Sequence, residues 1–389
     1  MKKVATWCVF FAFFLVLGTL FCHAESEASS APPYALESER VREEYRAFLD
    51  AVPPEVAELL PEGFFSEDLS ENAAAVEEVS APRAVLSALG RVTGITLPQA
   101  LSLLARICGI LVLSAVFRLA SGNEDLEGGN QKVLSFVATL ALLLMIFATI
   151  SPQFGEISAY FSTVRGIALA LLPMMGTLLA MGGNVGAAVA NHGVMTGFLA
   201  ILETAVSSSV MPVAGLCLSL ALMDALSGKV DLRSLSSLIK RTYTWTFSLL
   251  MLLLCGVLGV QTTLAKGADT LALRTARFAA GSFLPVVGGS IGEALRTVAG
   301  SVQFLRAVAG TGAVMVLFLA FLPVFLSLLL TRIAFLLSGS AAKLLGCVGE
   351  EKVLSELASV YGYFLAVTAS LFVMMVFSLT LFANCAVAG

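Results

Sequence analysis

In a chain this apolar, the residues able to do chemistry are the few polar ones set inside apolar runs. Glu203 stands at the end of one run, eleven residues after His192. That spacing returns to one helical face about three turns on, so the pair could bind a cation or relay a proton. The plainer reading is a carboxylate at a span end, wetted beside Ser207 to Ser209. A second set lies in RTARFAAGSFLPVVGGSIGEALRTVAGSVQFLRAVAG, residues 274–310. There Ile291, Leu295, Val298, Val302, Leu305 and Ala309 recur at steps of four and three, which predicts an amphipathic helix, while Glu293, Arg296, Gln303 and Arg306 fall off its apolar face. Pro285, Gly288 and Gly289 break any helix begun at Arg274. Helix, Gly/Pro break, helix is a pattern of pieces that pack on a membrane bundle, lie at the interface or re-enter beside a cavity. The candidate path or contact residues are therefore Glu203, His192, Arg274, Arg277, Gly288, Gly289, Gly292, Arg296 and Gln303.

Other chemistry is not indicated. None of the seven cysteines has CxxC spacing, so neither a zinc site nor a disulfide framework is expected. No nucleophile elbow, phosphate loop, HExxH or paired-carboxylate motif occurs in the sequence. No catalytic group, cofactor site or metal site is expected, and the chain does not read as an enzyme. Asp224 is expected to reach the headgroups or pair with Lys229, and Arg165 to snorkel to the interface.

The elements that must position these residues are membrane spans. Of 389 residues, 58% are hydrophobic and 13% charged, and the mean hydropathy is +0.92, so the fold class is an all-α, polytopic integral membrane protein. Residues 1–24 carry Lys2 and Lys3, an apolar core and Cys22-His23-Ala24, which reads as a signal peptide cut after Ala24; an uncleaved anchor is the alternative. Residues 25–98 hold 15 acidic and 5 basic side chains and form an acidic extracytoplasmic segment. Its short helix with Val41, Tyr45, Phe48 and Leu49 on one face has too little apolar content for a core of its own. That face reads as a partly ordered, solvated surface or a docking surface for a neighbouring subunit.

Eight apolar runs follow, at 99–118, 133–151, 164–183, 186–204, 206–226, 242–262, 311–331 and 361–382, each near the ~20 residues a bilayer needs. The domain map is thus 99–262 for spans one to six, 263–310 for the amphipathic or re-entrant segment, and 311–389 for spans seven and eight. The fourth run, with Asn191, His192 and Glu203, could instead re-enter as a hairpin with its neighbour. With eight crossings and the N-terminus outside, Arg118, Lys132, Lys229, Arg233, Lys240, Arg241, Arg332, Lys343 and Lys352 fall in cytoplasmic connections, as the positive-inside rule asks. Leu172-Pro173-Met174-Met175-Gly176 faintly echoes Leu284-Pro285-Val286-Val287-Gly288, and paired Gly/Pro-interrupted segments are a pointer to a transport site. Two His and no basic tail leave no sign of a nucleic-acid partner.

The run LRTARFAAGSFLPVVGGSIGEALRTVAGS, with the apolar FLRAVAG after it and SGKVDLRSLSSLIK at 227–240, resembles the stage III sporulation protein AE family of endospore-forming bacteria. The order of leader, acidic segment and polytopic half is similar across nearly the whole chain. The resemblance implies a multi-pass subunit of the secretion-like channel complex that links mother cell and forespore, located in the mother-cell membrane around the forespore. Its implied partners are the other subunits of that complex and membrane lipid, and a homo-oligomer is compatible with it. A permease-like or gate subunit, an assembly scaffold and an independent secondary transporter are the three functional classes this leaves.

Overall fold

A computed structural model describes residues 39–65, 69–121, 129–205, 209–227, 232–283 and 288–383. The leader and Pro285 lie outside them. Among the described residues the chain is helical and without strands: α1 (Glu39–Asp50), α2 (Pro54–Ala57), a 3₁₀ turn (Glu62–Phe65), α3 (Leu69–Ser80), α4 (Pro82–Ser121), α5 (Gly129–Met181), α6 (Val185–Ala205), α7 (Met211–Ser227), α8 (Leu232–Phe283), α9 (Gly288–Leu344) and α10 (Val348–Ala383). Five helical stretches are long and apolar enough to cross a membrane: Pro82–Val116, Leu140–Met181, Ser234–Leu264, Val302–Leu344 and Val348–Ala383. Val185–Ile201 and Met211–Leu220 are shorter apolar helices.

The centre is the antiparallel hairpin of α9 and α10. Gly346 turns it at φ 73°, a left-handed conformation open to glycine without strain. The Cys347 amide closes the turn on the Ala342 carbonyl at 2.8 Å. From there the register runs through Gly339 against Leu354, Arg332 against Gly362 and Gly310 against Ala383. Phe321 stacks on Phe372 within it, ring centroids 4.3 Å apart. α10 buries residues on nearly every side, as a helix apolar all round must when its neighbours enclose it. α8 lies parallel to it, with Ser248 Oγ 3.2 Å from Ser370 Oγ. The outward side of α8 is a stripe of Trp245, Leu249, Leu252, Leu253, Val257, Val260 and Leu264, all exposed and at helical spacing, as a lipid-facing stripe requires.

Two sequence expectations change here. The runs 133–151 and 164–183 were expected as separate spans, yet both lie on the single helix α5, which carries Pro152 and Pro173 inside it. The polar SPQFGEISAY between them resembles a connection, but Ile157 and Tyr160 within it and Phe161 and Val164 just after it are buried at steps of three and four. Helical packing therefore continues through the polar stretch, and Gln153 finds side-chain partners on α9 and α10. The segment 263–310 likewise divides between the end of α8 and the start of α9. Within it Val302, Leu305 and Ala309 are buried and Gln303 is exposed, as the periodicity predicts. Arg306, placed by periodicity on the polar face, is instead fully buried. Gly182 is what admits it, since a Cβ there would lie 1.7 Å from Arg306 Nη2.

That contact also fixes the path of the chain. α5 ends at Met181, and Gly183 takes φ 77° before α6 begins at Val185. This turn lies against Arg306, while Thr177 just before it donates to Glu44 of the N-terminal segment at 3.0 Å. The eight-crossing scheme put residues 184–185 at the cytoplasmic end; the structure puts them at the end that carries the acidic segment. Among the described residues the helices pass along the bundle six times, as α4, α5, α6 with α7, α8, α9 and α10. Of the basic residues expected to be cytoplasmic, Lys240, Lys343 and Lys352 lie toward the end that bears the α9–α10 turn, and Lys229 lies outside the described residues.

The acidic segment is also corrected. Phe48 and Phe64 have no exposed surface, and Val41, Val52, Val56, Leu60, Val76 and Val79 are buried and continuous with the bundle core. Phe64 and Val76 border Gly312 of α9 at 3.3 to 3.4 Å from where its Cβ would be. The apolar face that reads from sequence as an external docking surface is covered by the protein's own helices, which supply the core that the segment lacks by itself.

Candidate functional site

A polar layer crosses the bundle at one level. On α5, Gln153 donates through Nε2 to Thr331 Oγ1 of α9 at 3.1 Å, and its Oε1 accepts from the Tyr361 hydroxyl of α10. Beside Thr331, Arg332 lies over Gly362, whose Cβ, were there one, would be 3.0 Å from the guanidinium carbon. Arg332 Nε is buried and has no hydrogen-bond partner. Two residues along α10, Tyr363 donates to the carbonyl of Val210 at 3.3 Å, and its ring meets Tyr243 of α8 edge-on at 5.5 Å. Glu156, one turn after Gln153, is close enough for its charge to act on Tyr361.

This layer meets the start of α7. α6 ends at Ala205 and α7 starts at Met211, so the carbonyl that Tyr363 caps belongs to the turn just before α7. α6 packs on α5 and α8, and α7 on α8 and α10, while Val185, Val189, Leu216 and Met223 stay exposed on their outer sides.

Below the layer, at the end bearing the α9–α10 turn, the bundle holds charge in its interior. Lys240 Nζ lies 2.6 Å from Glu356 Oε2, both side chains at most 5% exposed, and Ser236 donates to the same carboxylate oxygen at 3.1 Å. Asp224 of α7 lies 3.5 Å from Lys352 of α10. Ser114 of α4 donates to Glu350 at 3.0 Å. Asp224, expected beside Lys229 or at the headgroups, is itself buried and pairs with the partly exposed Lys352; Lys229 lies outside the described residues. Lys240, Arg332 and Lys352, expected in loops, are on helices.

The expected site residues are placed as follows. His192 is exposed on α6, its Nδ1 3.4 Å from Thr196 Oγ1. Glu203 is on the same helix, about 16 Å further along the axis, so the two do not meet; the Glu203 side chain lies outside the described residues. Arg274 and Arg277 are on α8, and Gly288, Gly289, Gly292 and Arg296 on the first turns of α9; their side-chain surroundings also lie outside the description. Gln303 is exposed on α9. Sequence reasoning missed Gln153, Tyr361, Tyr363 and Glu356. The available signal was polar residues inside helical apolar periodicity, as in VLSELASVYGYF, where Val353, Leu354, Leu357, Val360 and Phe364 mark the face beside Glu356 and Tyr361.

The arrangement defines a multi-helix membrane protein with a polar layer across its bundle. Residues 67–386 match the profile of stage III sporulation protein AE, and the chain belongs to that family. A stage III sporulation protein AE of Bacillus subtilis (strain 168) is 23% identical over 215 residues, 54% of this chain and 54% of that protein. The chain thus spans about half the length of the curated relative it matches. No solved structure matches it.

Proposed function

We propose that the protein is a non-catalytic, permease-like or gate-forming subunit of a channel complex between mother cell and forespore, resident in the mother-cell membrane that surrounds the forespore. The observation that supports this reading is the polar layer of Gln153, Thr331, Tyr361 and Tyr363 inside the bundle, where Tyr363 meets the backbone of the π turn at residues 209–210 that leads into α7. π turns within helices recur at functional sites, and polar side chains that line the interior of a membrane bundle recur where solutes pass. No phosphate loop is present to drive such passage, so the energy would come from a partner subunit.

The test is a cysteine at Ser209, half-buried at the start of α7, in a chain whose native cysteines are replaced. In sporulating cells a path-lining position is labelled by a membrane-impermeant thiol reagent, and labelling halts forespore development while the protein stays in its complex. No labelling at Ser209 and at Gln153→Cys, with normal sporulation, would sink the gate reading. A scaffold role is the second reading. It is favoured by the acidic side chains Glu43, Glu55, Glu58, Glu77 and Glu78, which stay exposed after the apolar face is covered. Reversal of those charges would then release partner subunits without changing Ser209 labelling.

A further inference from the structure

Arg332 has features that the packing of the helices does not account for. It lies within an unbroken apolar helix, α9, half-buried, with Nε sealed from solvent and without an acceptor. Among the described residues it has neither a hydrogen bond nor an ion-pair partner. An arginine in such surroundings is expected to be paired, because removing the charge from water costs several kcal/mol that only a counter-charge and hydrogen bonds offset. The bundle elsewhere obeys that rule: Lys240 has Glu356 and Lys352 has Asp224. The neighbouring backbone is also cut away for this side chain. Gly362 faces the guanidinium, and a Cβ there would come within 3.0 to 3.3 Å of Cζ, Nη2 and Nε.

Depth narrows the identity of the missing partner. Arg332 is 22 residues from Gly310, where α9 meets the end of α10 at Ala383, about 33 Å of helix or one hydrocarbon thickness. At the same level Trp245 is 68% exposed beside Tyr243, which touches Tyr363, and exposed Trp and Tyr mark headgroup levels. We infer that Arg332 binds a phosphate group, presented by the headgroup of an anionic membrane lipid lodged between α9 and α10. The planar fork of the guanidinium suits a phosphate bidentately. Apolar surface on α4 continues past this level through Val112, Leu113 and Val116, so depth alone would also admit a soluble phosphate, and the test separates the two sources. The inference stands whether the polar layer passes a solute or only holds neighbouring subunits together.

The experiment uses the full-length protein, delipidated in detergent and titrated with phosphatidylglycerol, phosphatidylcholine or inorganic phosphate, with thermal stability and native mass spectrometry as readouts. Phosphatidylglycerol is expected to raise the melting temperature and remain bound, with little effect of phosphatidylcholine. Arg332→Gln should weaken binding about tenfold or more, as loss of a charge-assisted contact does, and Arg332→Lys should recover part of it. Gly362→Ala keeps the charge but displaces the guanidinium, so it should weaken binding even if Arg332→Gln folds poorly. Stabilisation by inorganic phosphate alone would overturn the lipid source. Equal retention of phosphatidylglycerol by wild type, Arg332→Gln and Gly362→Ala would overturn the site. If the true counter-charge is Glu156, Glu156→Gln will destabilise the protein, Arg332→Gln will relieve that, and lipid binding will be absent from all three; that result also overturns the inference.

Discussion

The two ends of the bundle meet the same problem by different means. At the end that carries the acidic segment, the helix termini are sealed by aromatic and aliphatic side chains: Phe48 and Phe64 are fully enclosed, and Asn72 Nδ2 donates to Tyr45 Oη and to the Phe64 carbonyl, each at 2.6 Å. At the other end the seal is ionic, through Lys240 with Glu356 and Asp224 with Lys352. The difference teaches that a segment unable to fold alone can be ordered by apolar burial against a preformed helix pair. An interior charge, by contrast, is tolerated only where a partner is built in. The outer end should therefore respond to loss of side-chain volume, the inner end to loss of one charge.

The largest expected effect tests whether those ends are correctly paired. A reporter fused at Asn184 should behave as exported, alongside fusions at Gly300, while fusions at Ser234 and Lys343 behave as cytoplasmic. A cytoplasmic Asn184 would restore the eight-crossing scheme and dissolve the comparison. Next, Glu356→Ala should destabilise the purified protein by about 3–5 kcal/mol because Lys240 is left buried and unpaired. Replacing both residues, Lys240→Met with Glu356→Leu, should recover most of that in thermal unfolding. Little loss in the single variant would mean that the inner end is not held by charge.

At the outer end, Phe48→Ala should cost about 3 kcal/mol through the cavity it leaves. It should also open residues 39–80 to limited proteolysis while the rest of the bundle stays resistant. Unchanged proteolysis would return this face to the role of an external contact. The smallest effect is alkaline. Burial pushes the Tyr45 hydroxyl up to about 12, partly offset by the hydrogen bond from Asn72. Its folded value thus lies above the usual ~10 of a tyrosine. The neutral hydroxyl stabilises the fold fully below pH 10, and that contribution is lost as pH rises from about 10 to 12. Tyr45→Phe should flatten the stability profile in that window, measured by intrinsic fluorescence of the folded fraction; an unchanged slope would place Tyr45 in water.

The amino-acid sequence by itself determined the all-helical membrane class, the amphipathic order around Val302, Leu305 and Gln303, and the family, because hydropathy and helical period are local properties of the chain. Only tertiary structure decided the fate of the polar residues. Whether SPQFGEISAY is a connection or a stretch of helix depends on what Gln153 and Tyr160 meet. Gln153 meets Thr331 and Tyr361, which are 178 and 208 residues away in sequence. Whether Arg306 lies on a wet face or inside depends on a glycine at 182 that no period in α9 can reveal. A polar side chain in an apolar helix takes its role from partners on other helices, and those partners are brought to it only when the bundle is assembled.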